Sequence, residues 1–239
     1  MKHHNNTRKG RTAKTAPAPI KVAQTWLATI SPAPDKPLID VSQAAPTAPP
    51  HPDMLRHMSQ RVLSEPSLHR YGPILGNAAL RQAMAAHWTQ SYQADISYQN
   101  VAITSGCNQA FCAVVSAIAD QGDNIILPRP WYFNHNMWLE MNDIETRALA
   151  CNADMLPNPD HAASLIDANT KAICLVTPNN PTGVEYPSSL LDAFYDLARK
   201  NGIKLILDET YKDFRRGDGP PHRLVQNTDA LATVIQLYS

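Results

Sequence analysis

Two short strings hold the residues best suited to chemistry. One is LVTPNNPTGVEYP (residues 175–187), an apolar run feeding a Pro/Asn/Gly corner. The other is KLILDETY (204–211), an apolar run ending in Asp208 and Glu209, with Tyr211 three residues past Asp208. A carboxylate that closes a buried strand is at least partly desolvated, and it needs a cation or several donors to stay charged. Asp208, with the Tyr211 hydroxyl within reach, suits a protonated heterocyclic nitrogen. In the first string an Asn–Pro bond can be cis at modest cost. That would turn the chain sharply and aim the Asn180 amide into a crevice at the end of the sheet. An ordinary Asn/Pro/Gly turn uses the same residue types, but the string Pro178-Asn179-Asn180-Pro181-Thr182-Gly183 is more specific than such a turn requires.

Two further strand ends carry candidates. Ser105-Gly106-Cys107-Asn108 lies between VAIT (101–104) and a helical pattern. A glycine at such a corner lets the first helical amides point outward, which makes an anion site suited to phosphate; a simple tight turn satisfies the same residues. After NIILP (124–128) comes RPWYFNHNMW, where Trp131 or Tyr132 would offer a flat surface to a planar ligand. Packing is the ordinary role of such an aromatic pair.

These ends must be positioned by strands. The runs VAIT, NIILP, TRALA (146–150), KAICLVT (171–177), IKLILD (203–208) and ATVIQLY (232–238) are apolar without alternation, the pattern of a parallel sheet covered on both faces. Between them lie amphipathic helices at 108–119 and 188–200. The second follows Pro187 and stops at Asn201-Gly202, with Leu190, Leu191, Phe194, Leu197 and Ala198 as its buried stripe. The fold class is α/β, with function at the carboxyl ends of the strands. Upstream, Met54, Leu55, Met58 and Val62 mark a helix in 53–63, and Leu80, Ala83, Met84, His87 and Trp88 mark the apolar face of another in 77–88. Residues 32–52 are proline-rich and read as an extended arm.

With 21 basic and 21 acidic residues, charge gives no reason to expect nucleic acid or an anionic membrane as partner. The 44% hydrophobic content is enough for a packed core. No run of about 18 apolar residues is present, so no membrane span is expected. Cysteines 107, 112, 151 and 174 have no metal-ligand spacing, so no metal is expected, and the thiols read as reduced in a cytoplasmic protein. The expected domains are a basic, disordered tail (1–34), an arm with a small-domain segment (35–66) and an incomplete large domain (67–239). The tail is acid-free up to residue 34, like a transit peptide, but its amphipathic pattern is poor, and no apolar stretch before Ile20 suits a secretory signal.

NNPTG, followed about two dozen residues later by DETY, resembles the class I/II aminotransferases, the pyridoxal-phosphate enzymes of fold type I. YGPILGNAALRQAMAAHW (71–88), TSGCNQAF (104–111) and LPRPWYF (127–133) resemble further segments of that family in the same order, across roughly residues 38–239. The resemblance implies a mostly parallel sheet flanked by helices and pyridoxal 5′-phosphate as cofactor. It also implies an amino acid and a 2-oxo acid as substrates, and a homodimer. Gly106, Cys107 and Asn108 would offer amides to the cofactor phosphate, Tyr132 would stack on the ring, and Asn180 and Tyr211 would bond its phenolic oxygen. Asp208 would keep the ring nitrogen protonated. Tyr71 would reach the phosphate of the neighbouring subunit. LIDVSQAAP (38–46) resembles the arm over the substrate carboxylate, with Ala44 and Ala45 where the family often has glycine.

VIQLYS resembles the strand before the family's Ser-x-x-Lys motif. Ser239 would then bind phosphate, and the Schiff-base lysine would be the third residue past it. Lys212 lacks the serine motif, and Lys171 and Lys204 start strands, at the wrong end of the sheet. The expectation is an N-terminal part of an aminotransferase, inactive alone, with the C-terminal small domain missing. Another fold-type-I enzyme, a lyase or decarboxylase, and a non-catalytic truncated protein that binds the cofactor remain as alternatives.

Overall fold

The computed structural model describes residues 10–40, 43 and 48–239. Two compact units divide the chain, Pro17–Ala78 in one, and Ala79–Ser239 together with the chain before Pro17 in the other.

The Pro17–Ala78 unit holds two helices, α1 (Pro19–Leu27) and α2 (Pro52–Ser64). Each starts with proline, whose missing N–H costs nothing in a first turn. The His51 ring also accepts a bond from the Asp53 amide at the start of α2. Helix α1 forms inside the stretch whose composition reads as a tail. Met54, Leu55, Met58 and Val62 are about half exposed, at 54, 49, 53 and 52%. Periodicity correctly marked helix α2, but neither helix buries a residue.

The larger unit continues through α3 (Ala78–Tyr92), α4 (Cys107–Ile118), β1 (Asn124–Arg129), α5 (Phe133–Met141), β2 (Glu145–Ala150), α6 (Pro159–Ser164), β3 (Thr170–Val176), α7 (Ser188–Lys200), β4 (Lys204–Asp208) and β5 (Val234–Leu237). The five strands form one sheet in the order β2-β1-β3-β4-β5, and every pairing is parallel. All carboxyl ends therefore lie along one edge, and the order reverses between β1 and β3, where α/β sheets open a crevice.

Alternate residues of each strand feed two cores. Ile126, Ile173, Leu175, Leu205 and Leu207 pack with Leu191, Phe194 and Ala198 of α7. Ile125, Leu127, Ala172, Cys174 and Ile206 pack on the other side with Phe111 and Val115 of α4 and Leu139 of α5. This two-sided burial explains the unbroken apolar runs. Helix α7 occupies the residues expected from its proline start and glycine stop, and Gly202 has φ +67°, the left-handed conformation a glycine stop provides.

Two sequence expectations are corrected. VAIT (101–104) is not a strand. Val101 has extended dihedrals (φ −109°, ψ 129°), but no neighbouring strand among the described residues pairs with the segment, and a strand is defined by its ladder. In α3 the buried side chains are Ala85, Trp88 and Tyr92, whereas His87 and Ala83 are exposed. The apolar pattern there is nearly all-round, so its phase was set by what α3 packs against.

Candidate functional site

The carboxyl ends of the strands surround an open cavity of about 250 Å³, lined by Ser105, Gly106, Cys107, Asn108, Tyr132, Val176, Asn180, Asp208, Thr210, Tyr211 and Ser239. Eight residues singled out by sequence and resemblance thus come together: Gly106, Cys107, Asn108, Tyr132, Asn180, Asp208, Tyr211 and Ser239. Three do not. Tyr71 belongs to the Pro17–Ala78 unit, where it is fully exposed. Ala44 and Ala45 lie outside the described residues.

Gly106 is the N-cap of α4, at φ +87° and ψ 169°, a backbone state that L side chains rarely adopt. No side chain caps this helix end, and the first amides of a helix have no partner within it. Cys107 follows, 8% exposed. Burial and then the charge of Asp208 push its thiol up to about 12, so it is a neutral neighbour of the site and not a nucleophile.

Tyr132 caps α5. Its hydroxyl receives bonds from Asn134 Nδ2 at 2.6 Å and Asn108 Nδ2 at 3.4 Å, which tie the starts of α5 and α4 together. Trp131 instead is partly buried against the core cluster on the α4 and α5 side, and of the two aromatics Tyr132 is the one that lines the cavity.

The corner after β3 divides its two asparagines between two jobs. Asn179 is buried, and its Oδ1 accepts from the Thr182 amide (3.1 Å) and hydroxyl (2.8 Å). Its backbone N–H donates to Val184 and its carbonyl accepts from Gly183, which sits at φ +74°. Asn179 thus builds the turn, and Asn180, the residue before a cis Pro181, lines the cavity.

Asp208 ends β4 in register with Val176 of β3 and Leu237 of β5. It is 3% exposed. Oδ1 accepts from the Thr210 amide (3.1 Å) and hydroxyl (2.8 Å). Oδ2 lies 3.2 Å from His135 Nε2, a close contact that lacks hydrogen-bond alignment. Burial pushes the Asp208 pKa up, but the adjacent imidazole and the Thr210 donors outweigh it, and the net direction is down. The carboxylate is charged at neutral pH with one oxygen short of an aligned donor, an arrangement suited to a cationic N–H.

Sequence reasoning missed His135 and Thr210. His135 is 2% exposed, stacks on Phe111 with ring centroids 3.9 Å apart, and stands edge-on to Tyr132 at 5.2 Å. Its spacing from Tyr132, three residues at a helix start, puts the two on one face and was the available signal. Thr210 had none beyond its place beside Asp208.

A protein-family model described as aminotransferase class I and II matches residues 35–239. Nicotianamine aminotransferase 1 of Oryza sativa subsp. japonica is 34% identical over 152 residues, which cover 61% of this chain and 30% of that protein. S-alkyl-thiohydroximate lyase SUR1 of Arabidopsis thaliana is 31% identical over 165 residues, 66% of this chain and 35% of that one. The chain thus spans about a third of the length of these relatives. Among solved structures, an alanine aminotransferase from Pyrococcus furiosus superposes with a TM-score of 0.82 at 22% identity, over 97% of this chain and 59% of that one, which supports the fold. The doubly covered parallel sheet, the NNPTG and DETY ends that meet in one cavity, and a family match over most of the length lead to one assignment: the chain belongs to the class I and II aminotransferase family.

Proposed function

We propose that this chain carries the cofactor-binding part of an enzyme that moves an amino group from an amino acid to a 2-oxo acid through pyridoxal 5′-phosphate. The observation that carries this reading is Asp208, a nearly fully buried carboxylate with an under-bonded oxygen, lining the same cavity as the uncapped start of α4. An anion cup and a cation-seeking carboxylate in one cavity suit a ligand with a phosphate and a protonated ring nitrogen. The volume, about 250 Å³, is slightly below that of drug-sized sites at ~300–1,000 Å³ and suits one ring with its phosphate.

The amides at Gly106, Cys107 and Asn108, with the Ser239 hydroxyl, take the phosphate. Tyr132 lies against the ring, while the Asn180 amide and Tyr211 hydroxyl bond its phenolic oxygen. Asp208 holds the proton on the ring nitrogen. When bound, the group supplies an electron sink for charge that develops at the substrate α-carbon. Moving the proton there needs a base, and no lysine lines the cavity among the described residues. We assign that base to the third residue past Ser239, on the resemblance of VIQLYS to the strand before a Ser-x-x-Lys motif. Tyr71 serves the phosphate of a second copy in a homodimer, Ala44 and Ala45 lie on the arm over the substrate, and the protein works in the cytoplasm.

A lyase on the same cofactor is the second reading, favoured by the relative named as one at 31% identity. The test is titration of the 239-residue chain with pyridoxal phosphate, followed by absorbance, with inorganic phosphate as competitor. Saturable binding that phosphate displaces, weakened by Asp208→Asn, is expected. After borohydride reduction no single lysine should carry stoichiometric label. Binding that ignores both phosphate and Asp208→Asn would overturn the reading. Product analysis of a chain extended past Ser239, 2-oxo acid against eliminated fragment, separates transferase from lyase.

A further inference from the structure

A second cluster of buried polar groups lies at the end of β4, separate from the cavity lining. Glu209 is 1% exposed, and its neighbours His222 and Tyr92 are 1% and 0% exposed. Its Oε2 accepts from Tyr92 OH at 2.8 Å and from Gln236 Nε2 at 2.6 Å. Its Oε1 lies 3.3 Å from His222 Nε2. The His222 Nδ1 accepts from the Leu224 amide at 3.3 Å, and its Nε2 also lies 3.5 Å from Gln236 Nε2. Gln226 Nε2 donates to the Tyr92 carbonyl at 2.9 Å and closes the ring of contacts between α3 and the 224–226 turn. A buried carboxylate needs several donors; this one has the Tyr92 hydroxyl and the Gln236 amide on Oε2, with the His222 ring beside its other oxygen.

The cluster grips β5. That strand has four residues, and among the described strands it pairs only with β4; so short an edge is weakly held by its ladder alone. Gln236 bonds Glu209 on one side of the strand. Tyr238, two residues on, meets the same side: its hydroxyl donates to Asp213, its ring stands edge-on to Trp88 at 4.7 Å, and the Lys212 ammonium lies 4.6 Å from its centroid. Leu237 packs toward α4 on the opposite side, and Ser239, the next residue of that parity, lines the cavity. The Glu209 amide also donates to the Leu237 carbonyl at 2.8 Å.

We propose that Glu209 is a positioning residue for the phosphate end of the cavity: through Gln236 and the groups around it, it fixes edge strand β5 so that Ser239 is held beside the start of α4. The phosphate part of this inference rests on the reading given under Proposed function; the clamping of β5 does not. Glu209→Gln keeps the volume but replaces one acceptor oxygen by a donor that opposes the other donors of the cluster.

Two measurements on the 239-residue chain test it. In hydrogen exchange, Glu209→Gln should speed the amides of 234–238 by at least about tenfold more than those of β1 and β3; a uniform rise across the sheet would reduce Glu209 to general stability and overturn the clamp. In ligand titration, pyridoxal phosphate and pyridoxal, which lacks the phosphate, are compared. Glu209→Gln should lower affinity for the first about tenfold and for the second less than twofold. Ser239→Ala should do the same, and the double variant should add little, as coupled sites do. Phe194→Ala, a core change on the α7 side, should leave the ratio unmoved. Equal loss for both ligands, or full additivity with Ser239→Ala, would overturn the phosphate role. If the unaltered chain binds neither ligand, the cofactor reading and the phosphate role fall together, and the exchange result still decides the clamp.

Discussion

Asp208 and Glu209 are adjacent, acidic and buried, yet the two sides of the sheet that receive them treat them differently. Asp208 turns to the α4 and α5 side, lines the cavity and keeps one oxygen without an aligned donor. Glu209 turns to α3 and the 222–226 turn, where Tyr92 and Gln236 bond it and His222 faces its other oxygen. Burial alone therefore does not mark a reactive carboxylate. Unfilled hydrogen-bonding capacity facing a cavity does, because only that capacity is left for a ligand.

The largest expected difference is in turnover. In a chain extended past Ser239, Asp208→Ala should lower kcat on the order of 10³-fold or more, the scale of losing a preorganised electrostatic partner, with a much smaller effect on cofactor affinity. Glu209→Ala should lower kcat by less than about tenfold wherever the protein stays folded, since its partners are structural. Steady-state rates with cofactor titrations check both, and equal losses would erase the contrast between the two carboxylates.

A chemical probe sharpens the Asp208 side. With its pKa pushed up to about 12, Cys107 should react with iodoacetamide at pH 8 roughly 10³-fold more slowly than a free thiol of pKa ~8.5. Asp208→Asn removes a negative charge that disfavours the thiolate, so it should speed that reaction. Peptide mapping of the time course reads the effect, and a rate unchanged by Asp208→Asn would count against their coupling.

On the other side, Glu209→Ala strands buried donors and should cost about 1–3 kcal/mol or more in urea unfolding, the range for a buried group left unpaired. Tyr92→Phe removes one donor and should cost about 1 kcal/mol. A smaller loss for Glu209→Ala than for Tyr92→Phe would mean that the carboxylate is not the hub.

The smallest effect is on the acid limb of stability. The folded-state pKa of Asp208 is below its unfolded value. Its contribution is therefore complete above the unfolded carboxylate pKa near ~3.9 and is lost as pH falls through the folded value. Asp208→Asn should flatten the thermal-stability profile below about pH 4 and leave its shape above pH 5 unchanged. An unchanged acid limb would show that the aspartate gains nothing from Thr210 and His135.

Much of this site was legible in the chain. Once the apolar runs identified a parallel sheet, the residues that follow each run had to meet at one edge, because parallel strands end together. Tyr132, Asn180, Asp208 and Tyr211 meet there for that reason, whereas Gly106 reaches the site at the start of α4, after a segment that is not a strand, and α7 was bounded by local rules at Pro187 and Gly202. What the sequence did not contain was the identity of each neighbour. Trp131 and Tyr132 differ only in which side of the chain they leave, His135 matters because α5 brings it against Asp208 at the end of β4, and Asn179 and Asn180 divide their roles through a turn that Thr182 completes. VAIT has the composition of a strand without a partner, and α2 has the period of a packed helix with its apolar side half exposed. The sequence by itself determined most element types, the direction of the strands and the candidates at their ends, because these follow from patterns a few residues long. Only the tertiary structure decided which of two adjacent acids opens to a cavity and which is sealed, because that depends on donors from residues as distant in the chain as Tyr92 and Gln236.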